Sequence, residues 1–137
     1  MIFEKIAVKP GKPTWFGVLD GTPVLGLPGN PASAIVCAHL FLKLLIRGSS
    51  ARVLQAFASE DLSSNGPRET YLRARLWAEN GALHVKPFPR QDSSLLTPFQ
   101  SANVLIRRAP HADEVKAGAS LDVIELGTGP SLYAPFK

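Results

Sequence analysis

The sequence has little cysteine and no long apolar segment, and each absence excludes a class of protein. Cys37 is the only cysteine in 137 residues, so the chain can form neither an internal disulfide bond nor a cysteine-based zinc site. No run of about 18 apolar residues is present, as a membrane-spanning helix requires. The first twelve residues also lack the apolar core and cleavage site of a signal peptide. We therefore expect a cytoplasmic protein with no membrane partner and no structural metal.

Positive charge is in excess, and the excess is concentrated near the N-terminus. The net charge is +4; residues 1–50 hold five basic and two acidic side chains, whereas residues 51–137 hold ten and nine. Nucleic-acid binding usually needs a stripe of unmatched Lys and Arg with aromatic residues between them. We expect no nucleic-acid partner, and we expect the unmatched lysines to mark a local anion site.

The first fifty residues contain signals for three strands and one helix. Short apolar runs predict strands at residues 3–8, 14–19 and 23–27, with Asp20-Gly21 as a hairpin turn. Asn30 can cap a helix that ends at Gly48. The polar stripe of this helix is only His39, Lys43 and Arg47, so most of its surface needs apolar cover. We infer a piece of a larger α/β layer whose other elements are absent from the chain.

The remaining residues predict a different architecture. Strands are expected at residues 53–57, 69–77, 82–87, 104–108 and 121–125, with Asn80-Gly81 as a turn and no competing helical period. The fold class is thus an α/β fragment, residues 1–50, followed by a small β-barrel or sandwich, residues 51–137. Glycine and serine at residues 48–50 mark the boundary.

Two loops of the first part suit an anion. Lysines flank a Pro-Gly turn at residues 9–13, and the turn at residues 26–31 leads into the helix N-terminus, where N–H groups and the positive end of the helix dipole favour negative charge. Each has a simpler interpretation: the lysines could form a solvated loop, and the turn could only cap the helix. A phosphate-binding Walker loop is excluded because Pro13 stands where Ser or Thr is required.

These loops, in this order and spacing, resemble those of the molybdopterin molybdenumtransferase family. The matching segments are Lys5-Ile6-Ala7-Val8-Lys9-Pro10-Gly11-Lys12-Pro13, Phe16-Gly17 and Gly26-Leu27-Pro28-Gly29-Asn30-Pro31, and in the β part Arg68-Glu69-Thr70-Tyr71-Leu72-Arg73 and Gln91-Asp92-Ser93-Ser94. The resemblance covers nearly all of this chain but only about the last third of a family member. Such enzymes insert molybdenum from molybdate into adenylylated molybdopterin, in a divalent-metal-dependent step that releases AMP.

The resemblance implies a set of binding residues. They would contact molybdate or the substrate, and they are Lys5, Lys9, Lys12, Pro28, Gly29, Asn30, Pro31, Arg73 and Ser93. The carboxylates that hold Mg²⁺ would lie in sequence preceding Met1, so no catalytic or metal-binding residue is assigned here and the isolated chain is expected to be inactive. A homodimer is expected for the complete protein.

Alternatives to the enzymatic interpretation remain open. Without the resemblance, Arg73 and Arg75 on one strand face would be an exposed ladder paired with acids such as Glu69 or Glu79. Ser93 has no histidine or acid in a nucleophile pattern, and the three histidines show no ligand spacing. The chain could also be a non-catalytic ligand- or protein-interaction module derived from the same family.

Overall fold

The computed structural model describes residues 8–9, 14–48, 52–89, 91 and 102–127. Three of the predicted binding residues, Lys5, Lys12 and Ser93, lie outside these ranges. The first described element is the two-residue strand β1 (Val8–Lys9), at the end of the run predicted as a strand.

A β-hairpin follows, as the sequence predicts. Strands β2 (Trp15–Leu19) and β3 (Thr22–Gly26) pair antiparallel, from Leu19 opposite Thr22 to Trp15 opposite Gly26. Asp20 and Gly21 both have positive φ, at 49° and 78°. This is the turn geometry whose twist matches that of the paired strands.

The predicted helix forms with the predicted ends. It comprises α1 (Pro31–Cys37), a π-helical segment (Ala38–Leu42) and α2 (Lys43–Arg47). Asn30 caps its start through a side-chain oxygen, and Gly48 ends it in the left-handed region with φ 69°. The π-helical segment was not predicted, because nothing in the hydrophobic period distinguishes it from α-helix.

The second part is a closed barrel of five strands. These are β4 (Val53–Ala58), β5 (Glu69–Glu79), β6 (Ala82–Pro87), β7 (Val104–Arg108) and β8 (Ser120–Glu125). The order is β5-β6-β4-β8-β7, and β7 returns to pair with β5. Only β4 and β6 pair parallel within the ring, so the barrel is mixed. The prediction of a barrel or sandwich is confirmed in its barrel form.

The barrel interior is packed with side chains from alternate positions of every strand. They are mainly small and branched: Ala56, Ala58, Ala74, Leu76, Val85, Val104, Ile106, Leu121 and Val123. The alternation predicted for β5 is confirmed, because Ala74 and Leu76 face this core. Filling of this kind leaves no channel through a small barrel.

The helix packs against the outside of the barrel. Val36 lies in a second apolar cluster with Leu105, Ile124 and Leu126, and Leu40 packs against it. The Lys43 ammonium group donates a hydrogen bond to the Leu126 carbonyl over 3.0 Å. The opposite side of the helix stays exposed, most of all Ile46 at 74%. The barrel therefore covers one face of this apolar helix, and in the described residues the other face is exposed.

Cys37 packs inside this arrangement, as predicted. It is buried, and its sulfur accepts a hydrogen bond from the Thr14 hydroxyl over 3.2 Å. Burial raises the pKa of the thiol, and the bond from Thr14 opposes this only in part. The thiol is therefore a packing group that joins the hairpin to α1. None of the helices in the described residues is long and apolar enough to cross a membrane.

Candidate functional site around strand β5

Strand β5 gathers two of the predicted binding residues. β1 pairs parallel with its start, with Val8 opposite Glu69 and Lys9 opposite Thr70. Arg73 follows Thr70 by three residues on the same strand, which is about 10 Å along its axis. Lys9 and Arg73 are far apart in the sequence, and the fold pairs the strand of Lys9 with the strand that carries Arg73.

The two cations lie on opposite faces of that strand. Paired residues share a face and successive residues alternate, so Lys9 shares the face of Thr70, whereas Arg73 shares the outer face with Tyr71. Lys9 is exposed, but Arg73 is only 1% exposed. A ligand that touches both must lie across the edge of β5.

The interpretation of Arg73 and Arg75 as an exposed ladder is wrong. Arg75 is 9% exposed, so both arginines are buried on the outer face. Glu69 also forms an ion pair with Arg107, and Glu79 also accepts a hydrogen bond from the Trp77 indole. Burial of an arginine is costly unless its charge is compensated, so these positions are more constrained than a surface ladder.

The edge of β5 between β1 and β6 has a gap at Arg73. β1 pairs only as far as Thr70, and β6 begins its pairing at Ala74. The side-chain amide of Gln91 fills this position: its oxygen accepts from the Arg73 N–H and its nitrogen donates to the Arg73 carbonyl, both over 2.9 Å. The same nitrogen donates to the Phe88 carbonyl over 2.8 Å. Gln91 thus continues the β6 ladder by one position with a side chain.

On the other edge of β5, a second side-chain amide also extends a strand ladder. The ladder with β7 ends at Ala74 opposite Val104. Beyond it, the Asn103 side chain accepts from the Leu76 N–H over 2.7 Å and donates to the Leu76 carbonyl over 2.9 Å. A buried backbone group without a partner is costly, and each amide supplies partners where a neighbouring strand has ended.

Tyr71 lies on the same outer face as Arg73; the sequence placed it in the family-like segment at residues 68–73 but assigned it no role. Burial raises the pKa of its hydroxyl to about 12, and the negative charge of Glu69 contributes in the same direction. The phenol therefore stays protonated at neutral pH. Tyr71 also packs against the cluster that holds Val36, which ties this face of the barrel to the helix.

The loop at residues 28–31 is organised by Asn30. Its side-chain oxygen accepts from the N–H groups of Ala32 and Ser33, over 3.1 and 3.3 Å, and its carbonyl accepts from Ala34 over 2.9 Å. Pro31 has no N–H, so the donors of the first turn are already used. The expectation that these N–H groups are open to an anion is therefore not met. Pro28 is buried and Gly29 is exposed.

This loop lies at the end of the helix that docks on the outer face of the barrel. Asn30 precedes Val36 by six residues, or about 9 Å of helix axis. Val36 packs in the cluster with Leu105, and Leu105 is the cross-strand partner of Arg73. The loop and Arg73 therefore belong to the same side of the barrel, and Lys9 approaches from the other face.

The described residues do not fit a divalent cation. Within them, no three His, Cys, Asp or Glu side chains lie close enough together to hold a metal ion. Mg²⁺ prefers a site with carboxylate oxygens. If the reaction needs this ion, the described part of the chain does not supply its site.

Sequence reasoning missed the roles of Gln91, Asn103 and Tyr71. Gln91 was part of a recognised segment, but its partner lies 18 residues away in sequence. No local sequence pattern marks an amide that completes a strand ladder. Whether one is required depends on where the neighbouring strands end.

Comparison with known proteins identifies relatives. The family model described as MoeA C-terminal region (domain IV) matches residues 55–126. The chain is 25% identical over 130 residues to the molybdopterin molybdenumtransferase of Staphylococcus aureus (strain COL), covering 90% of this chain and 31% of that protein. It is 31% identical over 129 residues to the enzyme of that name from Haemophilus influenzae, covering 88% of this chain and 32% of the relative.

A solved structure agrees with these relatives. The molybdopterin biosynthesis MoeA protein of Pyrococcus horikoshii matches with a TM-score of 0.71 and 26% identity, over 90% of this chain and 31% of that one. The chain therefore spans about a third of the length of the relatives it matches.

Proposed function

The chain belongs to the MoeA C-terminal region (domain IV) family, and we propose that it is the C-terminal part of a cytoplasmic molybdopterin molybdenumtransferase. In this proposal the complete enzyme, a homodimer, transfers molybdenum from molybdate to adenylylated molybdopterin and releases AMP. Residues 51–137 form the barrel domain, and residues 1–50 belong to an α/β domain completed by other polypeptide. The hairpin and helix, with their exposed apolar surface, support that division.

The single observation that carries the proposal is that two family-implied cations lie along one stretch of β5, Arg73 on the strand and Lys9 on β1 beside Thr70. Lys9 is placed there by pairing with Thr70, and Arg73 is held there by Gln91. Molybdate and the phosphate groups of the substrate are anions, and fixed cations stabilise both them and the charge that develops when a phosphoanhydride breaks. Lys9 and Arg73 would act on such groups from the two faces of the strand edge.

The other implied residues have supporting roles in this proposal. Pro28, Gly29, Asn30 and Pro31 form a wall of the substrate pocket whose shape is fixed by the Asn30 cap. The hairpin-to-helix loop then excludes water and positions the substrate, and its first-turn N–H groups do not bind the anion. Lys5, Lys12 and Ser93 complete the proposed set of binding residues.

Mg²⁺ enters the proposal only as a cofactor of the complete enzyme. The described residues do not fit it, so we place its carboxylate ligands in the part of the longer relatives that this chain does not match. By the same reasoning, the 137 residues alone should bind anions without turning over the substrate.

The proposal is tested in a relative's enzyme whose matched third is replaced by this chain. Lys9→Ala should reduce AMP release at low molybdate concentration and leave the melting temperature nearly unchanged, since an exposed charge contributes little to stability. Lys116→Ala is the matched control, because Lys116 is exposed and its ion pairs with described residues, Asp61 and Glu114, are long, at 3.7 and 3.9 Å. A folded chimera in which Lys9→Ala and Lys116→Ala behave alike would refute the role of Lys9.

A further inference from the structure

We infer that Gln91 is a positioning residue for Arg73, and that it sets the place of this guanidinium in the anion site without touching the ligand. The inference rests on the proposed function for the identity of the anion. The positioning itself is independent of the proposed function, because it follows from the described contacts between Gln91 and Arg73.

The Gln91 amide holds the backbone of Arg73. Three hydrogen bonds fix the Gln91 amide, two of them to Arg73 itself and one to Phe88. The Arg73 carbonyl also accepts from the Phe88 N–H over 3.1 Å. The Gln91 oxygen accepts from the Arg73 N–H. This N–H lies between the last β5 residue paired with β1, Thr70, and the first one paired with β6, Ala74.

By holding this backbone, Gln91 also fixes the direction of the Arg73 side chain. On a strand, successive Cβ atoms point to opposite faces of the sheet. The orientation of a residue's two peptide units therefore sets the direction of its side chain. If the Arg73 peptide unit rotates, the long guanidinium arm moves by a larger distance than the backbone does. Because the Gln91 amide holds both the N–H and the carbonyl of Arg73, it removes this freedom at Arg73.

Asn103 provides a comparison that separates a positioning role from a purely stabilising one. Asn103 holds the Leu76 N–H and carbonyl on the same strand with equally short bonds. Leu76 faces the barrel core, whereas Arg73 faces outward. The two amides therefore form the same kind of backbone contact. Only Gln91 forms it with a residue whose charged side chain is proposed to bind a ligand.

The experiment compares Gln91→Met with Asn103→Leu in the 137-residue chain labelled with ¹⁵N. Both variants remove an amide clamp and should lower the melting temperature. Only Gln91→Met should shift or broaden the Nε–Hε signal of Arg73, and it should weaken binding of inorganic molybdate by about tenfold, as loss of a group that orients a ligand-binding residue typically does. Asn103→Leu should change molybdate affinity by less than about twofold.

Other results overturn the inference. An Arg73 Nε–Hε signal that is unchanged in Gln91→Met, or equally changed in Asn103→Leu, would show that Gln91 has no special hold on Arg73. If Gln91→Met does not fold, amide hydrogen exchange of the unmodified chain decides: the Arg73 N–H should be as protected as that of Leu76, and a fast-exchanging Arg73 would refute the clamp. A shifted Arg73 signal in a chain that does not respond to molybdate would refute the anion site and leave the positioning intact.

Discussion

Replacing Gly26 with alanine should destabilise the hairpin by displacing Trp15. Gly26 ends β3 directly opposite Trp15, and the indole ring lies over its Cα. A Cβ added at Gly26 would lie 1.9 Å from Trp15 Nε1 and 2.1 Å from Cε2. Real Cβ atoms never come so close to ring atoms, so the indole must move or the strands must separate.

Two opposing effects set the magnitude. Alanine in a strand is normally favoured over glycine by about 0.5–1 kcal/mol, because glycine loses more backbone freedom on folding. Forcing a methyl group into occupied space costs about 1–3 kcal/mol. The clash outweighs the gain, and we expect a net loss of roughly 1–2 kcal/mol in the free energy of unfolding. The indole also lines an apolar hollow of about 180 Å³ with Val18 and Val24, so its displacement reshapes that surface.

Denaturant unfolding and tryptophan fluorescence together measure this effect. Trp15 emission should shift toward that of an exposed indole while Trp77 contributes an unchanged background. Gly29→Ala is the control, since a Cβ there meets nothing within 4 Å. In a Trp15→Ala background, Gly26→Ala should cost nothing, because the obstacle is gone. If Gly26→Ala is as stable as Gly29→Ala and leaves the emission unchanged, the close approach of Gly26 and Trp15 is not present in solution.

Three further outcomes follow from single side chains. Asn30→Ala should cost about 1 kcal/mol in thermal unfolding and Asn30→Asp much less, since only the former removes the cap oxygen; equal costs would mean that the cap is not formed. Burial lowers the pKa of His39, and the nearby charge of Lys43 lowers it further, so the unfolded chain binds this proton more readily than the folded chain. Stability should therefore fall as the pH drops from about 6.5 through the folded-state pKa, and His39→Gln should show a smaller fall in denaturant unfolding; an identical slope would exclude His39 as its source. Tyr71 should ionise only near a pKa of about 12 in an ultraviolet titration, and Tyr71→Phe should remove this late component; if Tyr71→Phe instead removes phenolate signal near pH 10, Tyr71 is not buried as described.

The elements that the sequence predicts well are those with local signals. Asp20-Gly21 and Asn80-Gly81 adopt the positive φ angles that such pairs favour, and they fix both hairpins within two residues of the predicted bounds. The Asn30 cap and the Gly48 stop are also local chemistry. Each depends on contacts within four residues, which a single sequence displays.

The parts that the sequence could not predict depend on contacts distant along the chain. Alternation places Arg73 and Arg75 on one face, but it does not say whether that face is covered, and the structure buries both. The parallel pairing of β1 with β5 sets Lys9 beside Thr70, and nothing in either segment indicates it. Closure of the barrel through β5 and β7 is likewise a property of the whole chain.

The unequal lengths of the strands explain why side chains complete the site. β5 has 11 residues, whereas β6 has 6 and β7 has 5, so both neighbours end while β5 continues. Every buried N–H and carbonyl beyond those ends needs another partner. On one edge that partner is Asn103, and its position only extends the barrel wall. On the other it is Gln91, and the residue it holds is the arginine that the family resemblance assigns to the substrate. Because β5 is long and its neighbours are short, its backbone needs hydrogen-bond partners from side chains. At Arg73 one amide, that of Gln91, both supplies these bonds and positions a proposed binding residue.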